Sequence, residues 1–295
     1  MARDASRRGA VVVTGASTGI GEACALYLTR VGFPVFAGVR NLADGEALKR
    51  KAAGRLTTVL LDVTDASSIR SAAETVTASA DDGRLAGLVN NAGIVVVGPL
   101  EFIPLADLRE QLEVNVVGQI AVTQAFLPLL RRGHGRIVNI SSSSGRVPTP
   151  LLGPYAASKF ALAALNEALR MELRPWGLHV VIVEPGSMAT RIWDKSRSAA
   201  DERAKRMSKD ARQLYSPMFD LIRKAADRTE RAGRDPLLVA HVVETALTSA
   251  RPRPRYVVGA DARIGALLAA LLPTSMLDNL IRWRIGLPKH MEERR

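Results

Sequence analysis

Tyr155 and Lys159 are the residues of this sequence whose types and spacing point most directly to chemistry. They lie four positions apart at the start of a helical pattern, so both side chains emerge on one face of the predicted helix. A free tyrosine has a pKa near 10, and proton transfer at neutral pH needs a pKa lower by about three, roughly 4 kcal/mol of preference for phenolate. A nearby ammonium favours the phenolate. The pair predicts proton transfer, although Tyr-xxx-Lys alone is more commonly a pair on a helix surface.

A glycine-rich turn follows the first predicted strand and opens a helix. Its sequence is Thr14-Gly15-Ala16-Ser17-Thr18-Gly19-Ile20-Gly21. Glycines let the backbone approach a pyrophosphate, and the helix end supplies free N–H groups with a favourable dipole. The spacing differs from the usual GxGxxG, and tight turns also use glycine. The strand before the turn and the helix after it favour a phosphate site.

The elements that must position these residues form an alternating pattern. Short β-branched runs alternate with longer helical patterns, which indicates βαβ units and a parallel sheet covered on both faces. We predict seven strands, at Ala10 to Thr14, Pro34 to Val39, Leu56 to Leu61, Gly87 to Asn90, Arg136 to Ile140, His179 to Val183 and Tyr256 to Val258. The helical stretches include Ile20 to Val31, Ser67 to Ser79, Leu105 to Leu130 and Ala156 to Arg174. No linker divides them, so one α/β domain is expected.

The sequence resembles the short-chain dehydrogenase/reductase family in three motifs. They are the glycine turn, Asn90-Asn91-Ala92-Gly93 after the fourth strand, and Tyr155-xxx-Lys159. The stretch Tyr155-Ala-Ala-Ser-Lys-Phe-Ala-Leu resembles its hydroxysteroid and retinol dehydrogenase branches. The resemblance covers roughly residues 10 to 260. It implies a single Rossmann-type doubly wound domain and a nicotinamide-dependent oxidoreductase, with Tyr155 moving the proton of a CH–OH group. No metal-ligand spacing is present.

The resemblance also assigns the other catalytic roles. The family's serine lies thirteen positions before the tyrosine, which selects Ser142 within the serine run 141–144 and leaves Ser141 as second choice. Asn115 lies in an apolar helical run and needs a polar partner. The resemblance implies that it kinks the helix and holds a water connecting Lys159 to solvent. A satisfied buried amide without a catalytic part is the alternative.

The cofactor's 2′ position is expected near Arg40, at the end of the second strand. The presence of a guanidinium there, without a carboxylate, favours NADP(H) over NAD(H), with Ser17 as a second phosphate ligand. The alternative is that Arg40 is a solvated surface residue. Asp62 resembles the acid that accepts from adenine, and its alternative is a helix N-terminal acid, a role that Asp65 fits better. Thr190 is expected to bind the carboxamide. The cofactor-binding set is Gly15, Ser17, Thr18, Gly19, Ile20, Gly21, Arg40, Asp62, Val63, Asn91, Ala92, Gly93, Tyr155, Lys159, Pro185, Gly186 and Thr190.

Substrate choice is expected in residues 145–154 and in a lid insertion at 187–234. Their apolar residues suit a hydrophobic alcohol or ketone such as a steroid or retinoid. They are Val147, Leu151, Leu152, Met188, Ile192, Trp193 and Met218. Other carbonyl reductions, of a 3-oxoacyl group or a small ketone, are the alternative, as is a scaffold that binds cofactor without catalysis.

The remaining expectations come from composition. The 47% of hydrophobic residues supports a core, and a single cysteine, Cys24, indicates a reducing, cytoplasmic setting with a packing role for the thiol. Residues 1–9 form a polar tail. The net charge of +12 comes without a nucleic-acid-binding pattern, so no nucleic acid partner is expected. The C-terminal extension 261–295 has a helical apolar stripe, which favours a lid or contact in a homodimer or homotetramer over peripheral membrane contact.

Overall fold

Seven parallel strands form one sheet in the computed structural model, which describes residues 9–190, 207–231 and 233–287. Their spatial order is β3-β2-β1-β4-β5-β6-β7. The chain therefore builds outward from β1 in one direction, then crosses to β4 and builds in the other. The strands are β1 Ala10–Val13, β2 Val35–Val39, β3 Leu56–Leu60, β4 Leu85–Asn90, β5 Arg136–Ile140, β6 His179–Pro185 and β7 Arg255–Val258. This confirms the predicted doubly wound fold.

Strands β1 and β2 are continuous apolar runs because helices cover both faces of the sheet. In β1 all four residues are buried, and they alternate between two cores. Val11 and Val13 belong to the core on one face, whereas Ala10 and Val12 belong to the core on the other. This alternation is the two-residue period of a strand, and it fixes the strand's register within the sheet.

Ten α-helices are found in the described residues. They are α1 Gly19–Arg30, α2 Leu42–Lys51, α3 Ala66–Ser79, α4 Leu105–Leu112, α5 Gly118–Gly133, α6 Gly153–Leu173, α7 Lys209–Arg231, α8 Leu237–Thr248, α9 Ala260–Leu271 and α10 Thr274–Ile285. Helices α1 and α8 contribute to the first core, and α3 and α5 to the second. Cys24 is fully buried in the first core, as its predicted packing role requires.

The helix predicted at 105–130 is interrupted in the structure. A π-helical turn, Glu113–Val117, separates α4 from α5 and contains Asn115. Among the described residues, this continuous helical stretch, Leu105–Gly133, is the one long and apolar enough to cross a membrane. Val122 and Phe126 are fully buried in the second core, so the stretch is a core element of this fold.

The two ends of the predicted lid insertion pair with each other shortly after the end of β6. Ala189 N donates to Arg234 O at 2.9 Å, and Arg234 N donates to Ser187 O at 3.1 Å. Between these ends α7 contacts the loop before α4, where the Tyr215 hydroxyl donates to Glu101 at 2.8 Å. Ile192 and Trp193, predicted to line the substrate pocket, lie outside the described residues.

Candidate functional site

A cleft of about 720 Å³ opens at the carboxyl ends of the strands. It lies where β1 and β4 are neighbours and the direction of the strand order reverses. Open parallel sheets bind ligands at such a switch point. The cleft brings together most of the predicted site residues, namely Gly15, Ser17, Thr18, Gly19, Ile20, Arg40, Asp62, Val63, Asn91, Ala92, Gly93, Ser142, Tyr155, Lys159, Pro185, Gly186 and Thr190. Two others, Gly21 and Asn115, lie behind its wall.

The glycine turn is packed so closely that side chains are excluded. A Cβ on Gly21 would lie 2.2 Å from the carbonyl oxygen of Gly15, and a Cβ on Gly15 would lie 2.8 Å from Ala92 Cα. Gly15 and Gly19 both have φ of +62°, a conformation that favours glycine. The turn therefore depends on three glycines at these three positions.

A clamp from β4 holds the turn in place. The Thr14 hydroxyl accepts from the backbone N–H groups of Asn91 and Ala92 at 2.9 and 3.0 Å. The Asn91 side chain donates to the carbonyl oxygens of Thr14 and Gly15. Thr18, at the start of α1, makes no side-chain cap, which leaves the first-turn N–H groups facing the cleft. These donors and the close backbone fit the pyrophosphate of a dinucleotide.

Tyr155, Ser142 and Lys159 share the wall of the cleft beyond this turn. Burial raises the pKa of Tyr155, and a hydrogen bond with Ser142 opposes that rise. The Lys159 ammonium lies 5.8 Å from the centroid of the Tyr155 ring and donates to Ile140 O at 2.9 Å. The net direction of this pKa is therefore upward, opposite to the lowering that the sequence suggested. Ser141 is buried beside them and lines the same cleft.

The pKa of Lys159 leads to a test of stability. Burial lowers this pKa from 10.5 to about 8, so the unfolded chain binds the extra proton between those pH values. The free energy of unfolding of the wild type therefore rises with pH across that interval. We expect the free energy of unfolding of Lys159→Met to lack this rise. The difference in this free energy, variant minus wild type, should therefore fall by about 3 kcal/mol between pH 7 and pH 10.5.

Urea unfolding of both proteins from pH 7 to pH 10.5 measures this difference, with Lys49→Met as the control because Lys49 is exposed on α2. A Lys159→Met curve parallel to the wild type across that range would show that the burial cost is absent.

Asn115 has its polar atoms paired with the chain. Its Oδ1 accepts from Ile94 N at 2.8 Å, and its Nδ2 donates to Ile94 O and Ser158 Oγ, both at 3.0 Å. Ser158 Oγ in turn donates to Tyr155 O at 2.7 Å. Asn115 therefore connects the π-helical turn to the start of α6. These contacts meet the requirement for a polar partner, and the water relay to Lys159 stays a prediction.

The residues predicted to contact adenosine lie at the other end of the cleft. Arg40 is exposed at the end of β2 and lines the cleft with Ser17. Asp62 follows β3 and accepts from the N–H and hydroxyl of Thr64 at 2.9 and 2.7 Å. Asp65 accepts from two N–H groups at the start of α3, so the helix-capping role belongs to it. Asp62 is not needed as the cap of α3, and it lines the cleft.

A carboxylate that sequence reasoning missed holds the predicted nicotinamide segment. Asp261, in the first turn of α9, accepts from Ser187 N at 2.7 Å. A Cβ on Gly186 would lie 2.4 Å from the Asp261 carboxylate, and a Cβ on Gly259 would lie 2.5 Å from it. No local motif announces this contact, because its two partners are 74 positions apart. The predicted boundary after residue 260 is thus crossed by a contact that shapes the cleft.

A second missed group is Glu184, the residue before Pro185 in β6. Its side chain is fully buried, and it accepts from Arg146 at 2.7 Å and also from Arg255 of β7. Arg255 continues to Glu167 of α6 at 2.9 Å. This ion-pair network ties the turn after Ser142 to β6, to β7 and to the later half of α6, the helix that carries Tyr155.

The apolar side of the cleft differs in part from the predicted substrate pocket. Met188 lines it as predicted, together with Ile94, Val95 and Val96, which the sequence analysis did not single out. Leu151 is buried, and its carbonyl oxygen accepts from Gly98 N at 2.9 Å, joining the two loops beside the cleft. These side chains give the cleft an apolar surface, and Tyr155 lines the same cleft.

Comparisons with known proteins agree with this geometry. A family model described as short chain dehydrogenase matches residues 9–201. The NADPH-dependent 3-dehydrocapnine reductase of Ornithobacterium rhinotracheale is 36% identical, covering 91% of this chain and 94% of that protein. Estradiol 17-beta-dehydrogenase 2 of Mus musculus is 37% identical, covering 92% and 74%. Retinol dehydrogenase 7 of Mus musculus is 35% identical, covering 92% and 87%.

The fold has solved counterparts as well. The crystal structure of a short-chain dehydrogenase from Streptomyces avermitilis matches with a TM-score of 0.74 and 28% identity, covering 98% of this chain and 100% of that one. The likeness therefore extends over the sheet and the C-terminal helices together.

Proposed function

Because this chain belongs to the short-chain dehydrogenase family, we propose that it interconverts a hydrophobic secondary alcohol and its ketone with NADP(H). The observation that carries the proposal is the wall formed by Tyr155, Ser142 and Lys159 within the cleft that the glycine turn also lines. A protein that only binds cofactor has no need of a buried tyrosine with a hydroxyl partner and a buried ammonium beside it.

Each residue has one part in the proposed reaction. A nicotinamide held at Pro185, Gly186 and Thr190 would supply or take the hydride at the substrate carbon. Tyr155 gives its hydroxyl proton to the substrate oxygen in reduction and removes that proton in oxidation. Ser142 donates a hydrogen bond to the same oxygen. Burial keeps Tyr155 protonated, the form that reduction requires, and the Lys159 ammonium favours the phenolate that oxidation requires.

The preference for NADP(H) is supported by the end of β2. Arg40 is exposed at the cleft rim, and the strand itself carries no acid. A guanidinium pairs with a phosphate through two charge-assisted hydrogen bonds, whereas a ribose hydroxyl is read best by a carboxylate. One relative of comparable length is named as NADPH-dependent.

We expect Arg40→Asp to weaken NADPH binding by about tenfold to a hundredfold while leaving NADH binding nearly unchanged, because a carboxylate repels the 2′-phosphate. Specificity constants for both cofactors measure the effect. Arg84→Asp makes the same charge change at the amino end of β4, away from the cleft, and serves as the control. A wild-type protein that already prefers NADH would contradict the proposal.

The substrate class is tested by NADPH absorbance with a panel of steroid, retinoid, 3-oxoacyl and small ketones. We expect the fastest turnover with the large apolar ketones, because Ile94, Val95, Val96 and Met188 line the same cleft as Tyr155. The names of two relatives specify estradiol and retinol. Tight NADPH binding without oxidation by any member of the panel would favour a binding scaffold instead.

A further inference from the structure

The last two helices of the described chain are attached to the domain with little burial. In α9 one residue, Ala262, is buried, and in α10 none is. Helices in globular proteins are normally stabilised by burying an apolar face. These two helices keep most of their apolar side chains in contact with solvent.

The exposed apolar side chains follow helical spacing. In α9 Ile264, Leu267 and Leu271 are 57%, 59% and 70% exposed, and their spacing of three and four places them on one face. In α10 Met276 and Trp283 are 55% and 80% exposed and lie seven positions apart, again on one face. We call these five residues the C-terminal apolar surface.

The charges around this surface are mainly positive. Arg263 precedes Ile264, and Arg284 follows Trp283, both of them exposed. Asp261 is directed to Ser187, so Asp278 is the one exposed acid within α9 and α10. A second copy of this chain, which carries a net charge of +12, would bring like charges together. An anionic bilayer accepts both the apolar side chains and the arginines, and tryptophan is enriched at that interface.

We propose that α9 and α10 dock the protein on an anionic membrane surface through the C-terminal apolar surface. The two helices border both segments in which the sequence analysis expects substrate choice, residues 145–154 and the lid insertion. A Cβ on Gly265 would lie 3.9 Å from Val147, and a Cβ on Gly286 would lie 3.6 Å from Leu221 of α7. Docking would therefore bring these two segments near the bilayer, where a hydrophobic alcohol or ketone dissolves. This last step rests on the proposed function, whereas the docking itself does not.

Co-sedimentation of the full chain with vesicles tests the proposal. We expect binding to vesicles of phosphatidylcholine with phosphatidylserine, weaker binding to phosphatidylcholine alone, and loss of binding as salt is raised. Leu267→Ser is expected to weaken binding by about tenfold or more, because one leucine no longer enters the bilayer. The emission of Trp283 is expected to shift to shorter wavelength on binding, and Trp283→Phe to remove that shift.

Leu42→Ser is the matched control, since Leu42 is 62% exposed on α2 at the opposite edge of the sheet. The proposal is overturned if the wild type does not bind anionic vesicles, or if Leu42→Ser weakens binding as much as Leu267→Ser. A change in light-scattering mass with Leu267→Ser, without vesicle binding by the wild type, would identify a second copy as the occupant. Turnover of a water-soluble ketone without vesicles should be equal in Leu267→Ser and in the wild type. A loss of turnover in both proteins would contradict the proposed function and not the docking.

Discussion

Replacing Tyr155 by phenylalanine is expected to lower kcat about 10³-fold while changing the Kd of NADPH by less than about threefold. The ring is buried and keeps its packing in the variant, but the hydroxyl that exchanges a proton with the substrate is gone. The hydrogen bond between the Tyr155 hydroxyl and Ser142 is lost as well. Ser142 then has no proton donor beside it. Single-turnover absorbance and cofactor titration separate the two effects.

Tyr256→Phe provides the matched control, because it removes a phenolic hydroxyl from β7, where that oxygen accepts from Arg253 N at 3.0 Å. We expect its kcat to stay close to the wild-type value. A Tyr155→Phe enzyme that retains near wild-type kcat would contradict proton transfer by Tyr155. Equal losses of kcat and of NADPH affinity in that variant would instead indicate a collapsed cleft.

Replacing Arg255 by methionine is expected to lower the free energy of unfolding by about 3 kcal/mol. Arg255 bridges Glu184 and Glu167, and of these two carboxylates Glu184 is the one with no exposure to water. Without Arg255, a buried charge keeps a single partner, Arg146. Leaving a buried charge poorly compensated costs far more than losing an ion pair at the surface.

Arg170→Met is the comparison for this prediction. Arg170 pairs with Glu167 at 2.6 Å, and both side chains are about one-third exposed. We therefore expect a loss of no more than about 1 kcal/mol. Urea unfolding at constant pH gives both values. Equal losses in the two variants would show that the burial of Glu184 does not set the cost.

The sheet could be predicted from the sequence because its signals are local. A strand such as β1, buried on both faces, is a short run of β-branched residues that needs no knowledge of its neighbours. The interruption between α4 and α5 could not be located in the same way. A π-helical turn adds residues to a helix without disturbing the apolar pattern enough to be seen, and Asn115 was its one visible sign.

The residues of the candidate site likewise separate into those with a local sequence signal and those without one. The phosphate-binding turn and the Tyr155 helix are contiguous motifs, so their residues could be named before their contacts were known. Glu184 and Asp261 could not, because each acts on partners far away in the sequence. The apolar wall at Val95 and Val96 was hidden for another reason, since an apolar pair after a strand is equally typical of ordinary core packing.

The reach of Asp261 to Ser187 also sets an order of assembly. Chains fold from the N-terminus as they are synthesised, and a contact spanning 74 positions forms only after the later partner has been made. The clamp on the glycine turn, by contrast, joins Thr14 to Asn91, and both of these residues lie in the first third of the chain. The carboxylate that holds Ser187 therefore becomes available only after most of the chain has been made, so the far wall of the cleft is among the last parts of the site that can be fixed in place.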